Sequence, residues 1–261
     1  TMSVRSNGVV FSQATPRGLL LSGQSSIMQL DAWNWEDAQI RTDDGIHLNW
    51  PRSYSWSWKE HKMEPNKNLS SQIEILEKLF TDAKGYIKGG KANLKFEAMQ
   101  GLFFGNKNLY IHVSKAKEII SAVTFAQKYN VKNCIIVGGN ESYLIADFLN
   151  KNNISVILDR VQSLPNSQDE PILMPYQVAS KLEKADILYA LSYAGDMEAM
   201  NSRNLPFSAG MTVAYGVDYE KAVQSISLNA AKIVGINQKY GSLEKGKSAS
   251  LFICDGDALD I

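Results

Sequence analysis

The sequence predicts an α/β fold built on a parallel sheet, and three observations carry this prediction. Between residues 109 and 191, short apolar runs alternate with amphipathic helical patterns. These runs are continuously apolar, as expected of strands that are covered on both faces. At 261 residues with 44% hydrophobic and 21% charged residues, the chain is long and apolar enough for one large globular domain. Repeated strand–helix units favour a closed barrel or an open doubly wound sheet, and the pattern leaves both open.

The first 60 residues have a different character, with strands and loops in place of helices. Short apolar runs at 9–11, 18–21 and 27–30 are interrupted by Gly, Pro and Ser, which is typical of strands joined by turns. Residues 50–61 crowd aromatic side chains together without a period. We interpret them as an irregular loop whose aromatic rings cover apolar surface.

Helical and strand patterns then follow one another to the end of the chain. Apolar residues recur at three- and four-residue steps from Ile73 to Ala83, and Ser71 with Glu74 fits a capping box ahead of them. Gly105 is positioned to end the next helix. The further predicted helices are 94–104, 115–129, 141–150, 175–184, 207–215 and 219–234, and the predicted strands are 109–113, 134–137, 155–158 and 187–191.

Charge and cysteine content exclude several classes of protein. Basic and acidic residues both number 27, so no electrostatic case for nucleic acid or an anionic membrane follows. No apolar run reaches the ~18 residues of a membrane helix, and the residues given contain no signal peptide. The compartment is left open. Cys134 and Cys254 lie inside apolar runs, which favours buried reduced thiols over a disulfide.

Three segments near the C-terminus carry a resemblance to a known family. They are Arg-Asn-Leu-Pro-Phe at 203–207, Ser-Leu-Asn-Ala-Ala-Lys-Ile-Val-Gly at 227–235 and Gly-Ser-Leu-Glu-Lys-Gly-Lys at 241–247. In this order and spacing they resemble the end of the metal-dependent amidohydrolase superfamily, in its imidazolonepropionase-like branch. The resemblance implies a (β/α)8 TIM-like barrel over 1–240. It also implies that 241–261 supplies one strand of a small β-sandwich shared by the two chain ends.

The barrel is expected to be incomplete. Members of the resembled family carry their first metal ligands in a His-x-His pair on the first barrel strand, and no His-x-His occurs in this sequence. About seven candidate strands are present, whereas a complete barrel of this type has eight. We therefore expect at least one strand and the opening ligands to be missing from these residues.

His112 is the strongest single candidate for a functional residue. It lies near the end of the strand pattern 109–113 and is followed by a helical pattern, which places it where the active-site residues of barrels cluster. The resemblance implies that it is the fifth-strand histidine that binds a divalent metal. A buried histidine that donates to a backbone carbonyl is the alternative.

Asp196 and Arg203 are the other two candidates. The resemblance implies that Asp196 is the eighth-strand aspartate, which contacts the metal and accepts a proton from the attacking water. Its register is loose by about two residues, and capping of the segment 197–200 is the alternative role. Arg203 could hold an anionic group of the substrate, and pairing with a surface carboxylate is the alternative.

Other positions are interpreted without a metal role. Where the family has a sixth-strand histidine, this chain has Gly138 and Gly139, which offer no ligand but suit a tight turn or a close backbone approach. His47 and His61 lie among Trp and Asp residues without a period. We interpret them as loop residues.

The implied function is hydrolysis of a non-peptide C–N bond, in an amide or cyclic amide, by water that a divalent metal activates. Zinc is the expected ion, a small molecule is the implied partner, and a homo-oligomer is left open. The alternatives are a catalytically inactive amidohydrolase-like scaffold or binding protein, and an unrelated doubly wound binding module. Because a mononuclear zinc site uses three protein ligands and only two are nameable here, we predict that these 261 residues alone are inactive.

Overall fold

A computed structural model describes residues 2–86, 91–193, 198–251, 253 and 255–259. The strands are β1 Phe11–Ala14, β2 Leu21–Gln29, β3 Gln39–Asn49, β4 Tyr54–Ser57, β5 Lys62–Pro65, β6 Asn108–Val113, β7 Cys134–Gly138, β8 Ser155–Leu158 and β9 Tyr189–Leu191. The helices are α1 Met2–Arg5, α2 Leu69–Gly85, α3 Leu94–Phe104, α4 Ala116–Lys128, α5 Ala146–Lys151, α6 Met174–Lys184, α7 Glu198–Asn201, α8 Leu205–Ala214, α9 Tyr219–Ile226 and α10 Leu228–Val234. Two 3₁₀ turns cover Ser142–Ile145 and Ser202–Asn204.

One seven-stranded sheet organises the described part of the chain. Its order is β1-β2-β3-β6-β7-β8-β9, and β4 and β5 form a separate hairpin. Five strands run parallel to one another, namely β3, β6, β7, β8 and β9. By contrast, β2 pairs antiparallel with both β1 and β3. The predicted α/β class is confirmed, with a curled parallel sheet that forms a half-barrel.

One face of the sheet is covered by helices and holds the main core, which we call the helix-covered face. Alternate strand residues such as Ile46, Ile111 and Ile136 point to it and are almost fully buried. Phe80 of α2 lies in this core, where its ring meets the rings of Phe103, Phe125 and Tyr129 at centroid distances of 5.0–6.4 Å. Burial of this apolar surface is the dominant stabilisation available to the fold.

The opposite face is smaller and mixes polar with apolar side chains, and we call it the α10 face. Tyr110, Ile135, Val137 and Ala190 form a cluster there with Ile233 of α10. The carbonyl of Ile233 accepts from Asn108 Nδ2 at 3.4 Å. Since Asn108 is the first residue of β6, this end of α10 lies at the N-terminal end of β6.

Three local expectations are wrong. The pattern 219–234 forms two helices, α9 and α10, because the backbone breaks at Ser227 with φ −131° and ψ −92°. No capping box forms at Ser71, because α2 already begins at Leu69 and has Asn68 as its N-cap. Residues 50–61 are not wholly an irregular loop, although Trp50 does cover apolar surface, with its ring 5.4 Å from that of Phe125. They include β4, and the side chains of Trp56 and Trp58 are 47% and 82% exposed.

The predicted sandwich strand in 241–261 is not confirmed and stays a prediction, as does the division at 240. Within that segment, the described residues form turns and irregular structure without a strand. Cys134 is a free thiol in β7, and burial raises its pKa to about 12. Cys254 lies outside the described residues. Among the helices that the structure describes, none has both the length and the apolar composition to cross a membrane.

Candidate active site

The imidazole rings of His47 and His112 meet on the α10 face at the C-terminal edge of the sheet. His47 lies near the end of β3 and His112 near the end of β6, and the two strands are parallel neighbours. In their register His47 pairs with Tyr110, so His47, Tyr110 and His112 project on the same side. His47 Nδ1 and His112 Nε2 are 2.9 Å apart, which is hydrogen-bond distance. We call these two residues the imidazole pair.

Both rings of the imidazole pair are neutral at pH 7. Burial lowers the pKa of His47 to about 3, helped by the proximity of His112, and burial also lowers the pKa of His112. One ring therefore donates and the other accepts across the 2.9 Å contact. His47 is only 2% exposed, and its Nε2 is buried without a hydrogen-bond partner among the described residues. His112 is half-buried, so it is the more exposed member of the pair.

Tyr110 packs flat against His47. The two rings are 4.6 Å apart between centroids and only 12° from parallel. The Tyr110 hydroxyl donates to Asp44 Oδ2 at 2.7 Å, and burial together with the Asp44 charge raises the pKa of Tyr110. The phenol is therefore protonated at any physiological pH, and it is held at both ends, by the stack and by the carboxylate.

A bulge in β3 aims the Asp44 carboxylate toward Tyr110. The β2–β3 register shifts between Ser25 and Ile27, and Asp43 adopts a left-handed φ of 50°. Asp44 is fully buried, and it also accepts from Ser25 Oγ at 2.7 Å and from Gln13 Nε2 at 2.8 Å. Three donors thus satisfy a carboxylate that would otherwise be expensive to bury.

Gly45 leaves the space that the Tyr110 ring occupies. A Cβ at this position would lie 2.4 Å from the Tyr110 ring and 2.6 Å from the carbonyl oxygen of Asn108. Neither neighbour is the mobile end of a flexible side chain. The close approach of β3 and β6 under the imidazole pair therefore requires glycine at position 45.

The structure places His112 at the C-terminal strand edge, where the sequence predicted it. Its Nε2 faces another imidazole, not a backbone carbonyl as the alternative interpretation had it. The interpretation of His47 as a loop residue is wrong, because it lies inside β3. The signal that could have found it is the alternation across 45–49, in which apolar Ile46 and Leu48 separate the residues of the other face.

The remaining candidates keep their status as predictions. Asp196 lies outside the described residues. Arg203 is exposed in the 3₁₀ turn that precedes α8. Gly138 and Gly139 have φ values of 98° and 58°, and the Gly139 amide donates to the carbonyl of Val113 at 2.8 Å. This agrees with the predicted tight turn and close backbone approach.

The imidazole pair provides the type of ligand that a divalent metal binds, but it provides two of the three protein ligands that a zinc site uses. Zinc bound by two imidazoles at about 2.0–2.1 Å in tetrahedral geometry would hold the nitrogens roughly 3.3 Å apart, slightly more than observed. Neutral imidazole is also the protonation state that binds metal. However, the described residues include no cluster of three or more His, Cys, Asp or Glu side chains that could hold an ion. A third ligand is required, and Asp196 is the residue that the resemblance implies.

Comparisons with known proteins show what this chain is similar to. The model of the amidohydrolase family matches residues 181–261. The chain is also 25% identical over 158 residues to an imidazolonepropionase from Flavobacterium psychrophilum, a match that covers 55% of this chain and 38% of the relative. The resemblance to the amidohydrolase superfamily is confirmed. This amidohydrolase-like chain thus spans well under half of the length of the curated relative it matches.

A solved structure shows the fold. The crystal structure of an amidohydrolase from Thermotoga maritima MSB8 matches 99% of this amidohydrolase-like chain and 69% of its own, with a TM-score of 0.80 and 20% sequence identity. At this identity the match concerns the fold alone. It agrees with the half-barrel described above.

Proposed function

We propose that this protein is an amidohydrolase-type hydrolase that cleaves a C–N bond in a non-peptide amide or cyclic amide. One observation carries the proposal: two neutral imidazoles meet at 2.9 Å at the C-terminal edge of adjacent parallel strands. Active sites of barrel enzymes lie at that edge. The family match and the fold support the same class of reaction.

Each candidate residue has a role in the proposal. His112 would hold a divalent metal, expected to be zinc, together with His47 and Asp196. When bound, that ion supplies the activation of water. Asp196 would accept the proton that the water releases. Arg203 would bind an anionic group of a small-molecule substrate.

The experiment uses the protein expressed from its complete gene, supplied with Zn²⁺, Co²⁺ or Mn²⁺ and a panel of N-acyl amines and cyclic amides. We expect hydrolysis of at least one substrate class, and its loss to background in His112→Ala and in His47→Ala. His61→Ala is the matched control, because His61 lies in the exposed turn between β4 and β5. Full activity in His112→Ala would overturn the proposed site.

A second candidate function applies to these 261 residues taken alone: a catalytically inactive scaffold or binding protein. What supports it is that the imidazole pair supplies two protein ligands, whereas a mononuclear zinc site uses three. We expect the chain as written to hold less than one tightly bound metal per molecule and to hydrolyse amides negligibly. One or two stoichiometric ions, measured by plasma emission, would contradict this.

A further inference from the structure

We propose that Tyr110 is a positioning residue that fixes the His47 ring against His112, and that buried Asp44 holds Tyr110 in place. The inference rests on the proposed function only in that the imidazole pair is taken as the site. The geometry on which it depends is independent of the reaction. Tyr110 is placed in this role because it contacts His47 through its ring and a fixed part of the sheet through its hydroxyl.

The stack is the contact that sets the plane of the His47 ring. A buried imidazole is normally oriented by hydrogen bonds at both nitrogens. Here only Nδ1 has a partner in the described residues, while Nε2 is buried without one. A single hydrogen bond at Nδ1 restrains the ring at one nitrogen only. The Tyr110 ring, 12° from parallel at 4.6 Å, lies against the face of the imidazole and restricts its rotation about the Cβ–Cγ bond.

Asp44 ties Tyr110 to strands on the far side of β3. Its other two donors, Gln13 and Ser25, lie on β1 and β2, whereas Tyr110 lies on β6. The carboxylate therefore links three strands besides its own. Because it is fully buried, loss of one donor cannot be replaced readily by bulk water.

The backbone leaves the Tyr110 ring little alternative space. The ring lies over Gly45, where a Cβ would be only 2.4 Å from it. Asn108 Nδ2 also donates to the Tyr110 hydroxyl, at 3.0 Å. The orientation of His47 is thus set by the Tyr110 ring, whose plane is fixed by packing over Gly45 and whose hydroxyl is fixed by hydrogen bonds.

Nuclear magnetic resonance of the imidazole rings tests the proposal directly, because the chain has only three histidines. Ring-nitrogen signals of ¹⁵N-labelled protein at pH 7 report which nitrogen of each ring carries the proton. We expect one fixed tautomer for His47 in the natural protein. In Tyr110→Leu, which removes the stacked ring, and in Asp44→Asn, the two His47 nitrogen signals should shift toward the averaged position of exchanging tautomers.

Two controls separate positioning from general destabilisation. The exposed His61 should keep its signals in every variant. Tyr189→Phe removes another buried tyrosine hydroxyl, one without a partner among the described residues, and should leave His47 unchanged. Folded Tyr110→Leu and Asp44→Asn proteins with unshifted His47 signals would overturn the proposal.

The natural protein decides the matter if neither variant folds. Nuclear Overhauser contacts between the Tyr110 and His47 rings, with a slowly exchanging Tyr110 hydroxyl proton, support the proposal. Absence of both overturns it. None of these readouts measures hydrolysis, so an inactive protein with a fixed His47 would refute the proposed reaction and leave the positioning role standing.

Discussion

The two faces of the sheet carry different kinds of side chain, although the same strands form both. The helix-covered face is almost purely apolar, and its side chains are buried by α2, α3, α4 and their neighbours. The α10 face holds a smaller apolar cluster and, beside it, a buried carboxylate, a tyrosine hydroxyl and two imidazoles. Stability is concentrated on one face, and the groups capable of chemistry are on the other.

The difference follows from what covers each face. Long amphipathic helices exclude water from one side, whereas the short helix α10 packs on the other side and bonds to the N-terminal end of β6. Polar groups at that end are paired within the protein. His112, at the opposite end, keeps partial access to solvent.

The largest expected difference between the faces concerns adjacent isoleucines of β7. Ile136 points into the large core and Ile135 into the small cluster. We expect Ile136→Ala to lower the free energy of unfolding by about 4 kcal/mol and Ile135→Ala by about 2 kcal/mol, because the small cluster can relax more easily around a cavity. Urea unfolding measures both, and equal losses would break the comparison.

Acid should destabilise the protein through the α10 face. The folded pKa of His47, about 3, lies below the value of about 6.5 of an unfolded histidine, so the unfolded chain binds the proton first. This contribution to stability is present above pH 6.5 and is lost as pH falls toward 3. By pH 5 the loss of unfolding free energy amounts to about 2 kcal/mol. Urea titrations at pH 7 and pH 5 measure the free energy of unfolding. Its loss on acidification should be smaller in His47→Gln and unchanged in His61→Gln.

Overpacking the space beside the Tyr110 ring should destabilise the folded protein. Gly45→Ala places a methyl group against the Tyr110 ring and a backbone carbonyl, and we expect a loss of about 2 kcal/mol. Gly85→Ala is the matched control. A Cβ there meets no atom within 4 Å, and the change should be neutral or stabilising by up to about 1 kcal/mol. Thermal unfolding compares the two, and a neutral Gly45→Ala would refute the close approach.

The smallest expected contrast is between two buried tyrosines. Tyr110→Phe removes a hydrogen bond to a carboxylate and should destabilise by about 1.5–2 kcal/mol. Tyr189→Phe, on the helix-covered face, removes a hydroxyl without a partner in the described residues and should change stability by less than about 0.5 kcal/mol. Calorimetry distinguishes these outcomes, and a reversed order would remove the assigned role of Asp44.

The parallel strands and their helices were predictable because both obey simple periods. Strand 155–158 and helix 94–104 have the predicted bounds, and the left-handed Gly105 ends that helix as expected. Continuous apolar runs and amphipathic repeats are local signals, so the sequence alone contains them.

β3 was missed for a physical reason. Its centre carries Asp43, Asp44 and Gly45, which are disfavoured in strands and here form a bulge. The pairing of His47 with His112 spans 65 residues and depends on the β3–β6 register, which no local pattern encodes. One member of the site was therefore predicted and its partner was not.

The central claim is that His47 and His112 act as one unit, and a double-mutant cycle tests it most directly. His47→Ala, His112→Ala and the double variant are unfolded in urea at pH 7. Direct contact predicts a coupling energy of about 1 kcal/mol between the two changes, whereas a parallel cycle of His47→Ala with His61→Ala should be additive within about 0.5 kcal/mol. Additivity in the first cycle would contradict the imidazole pair.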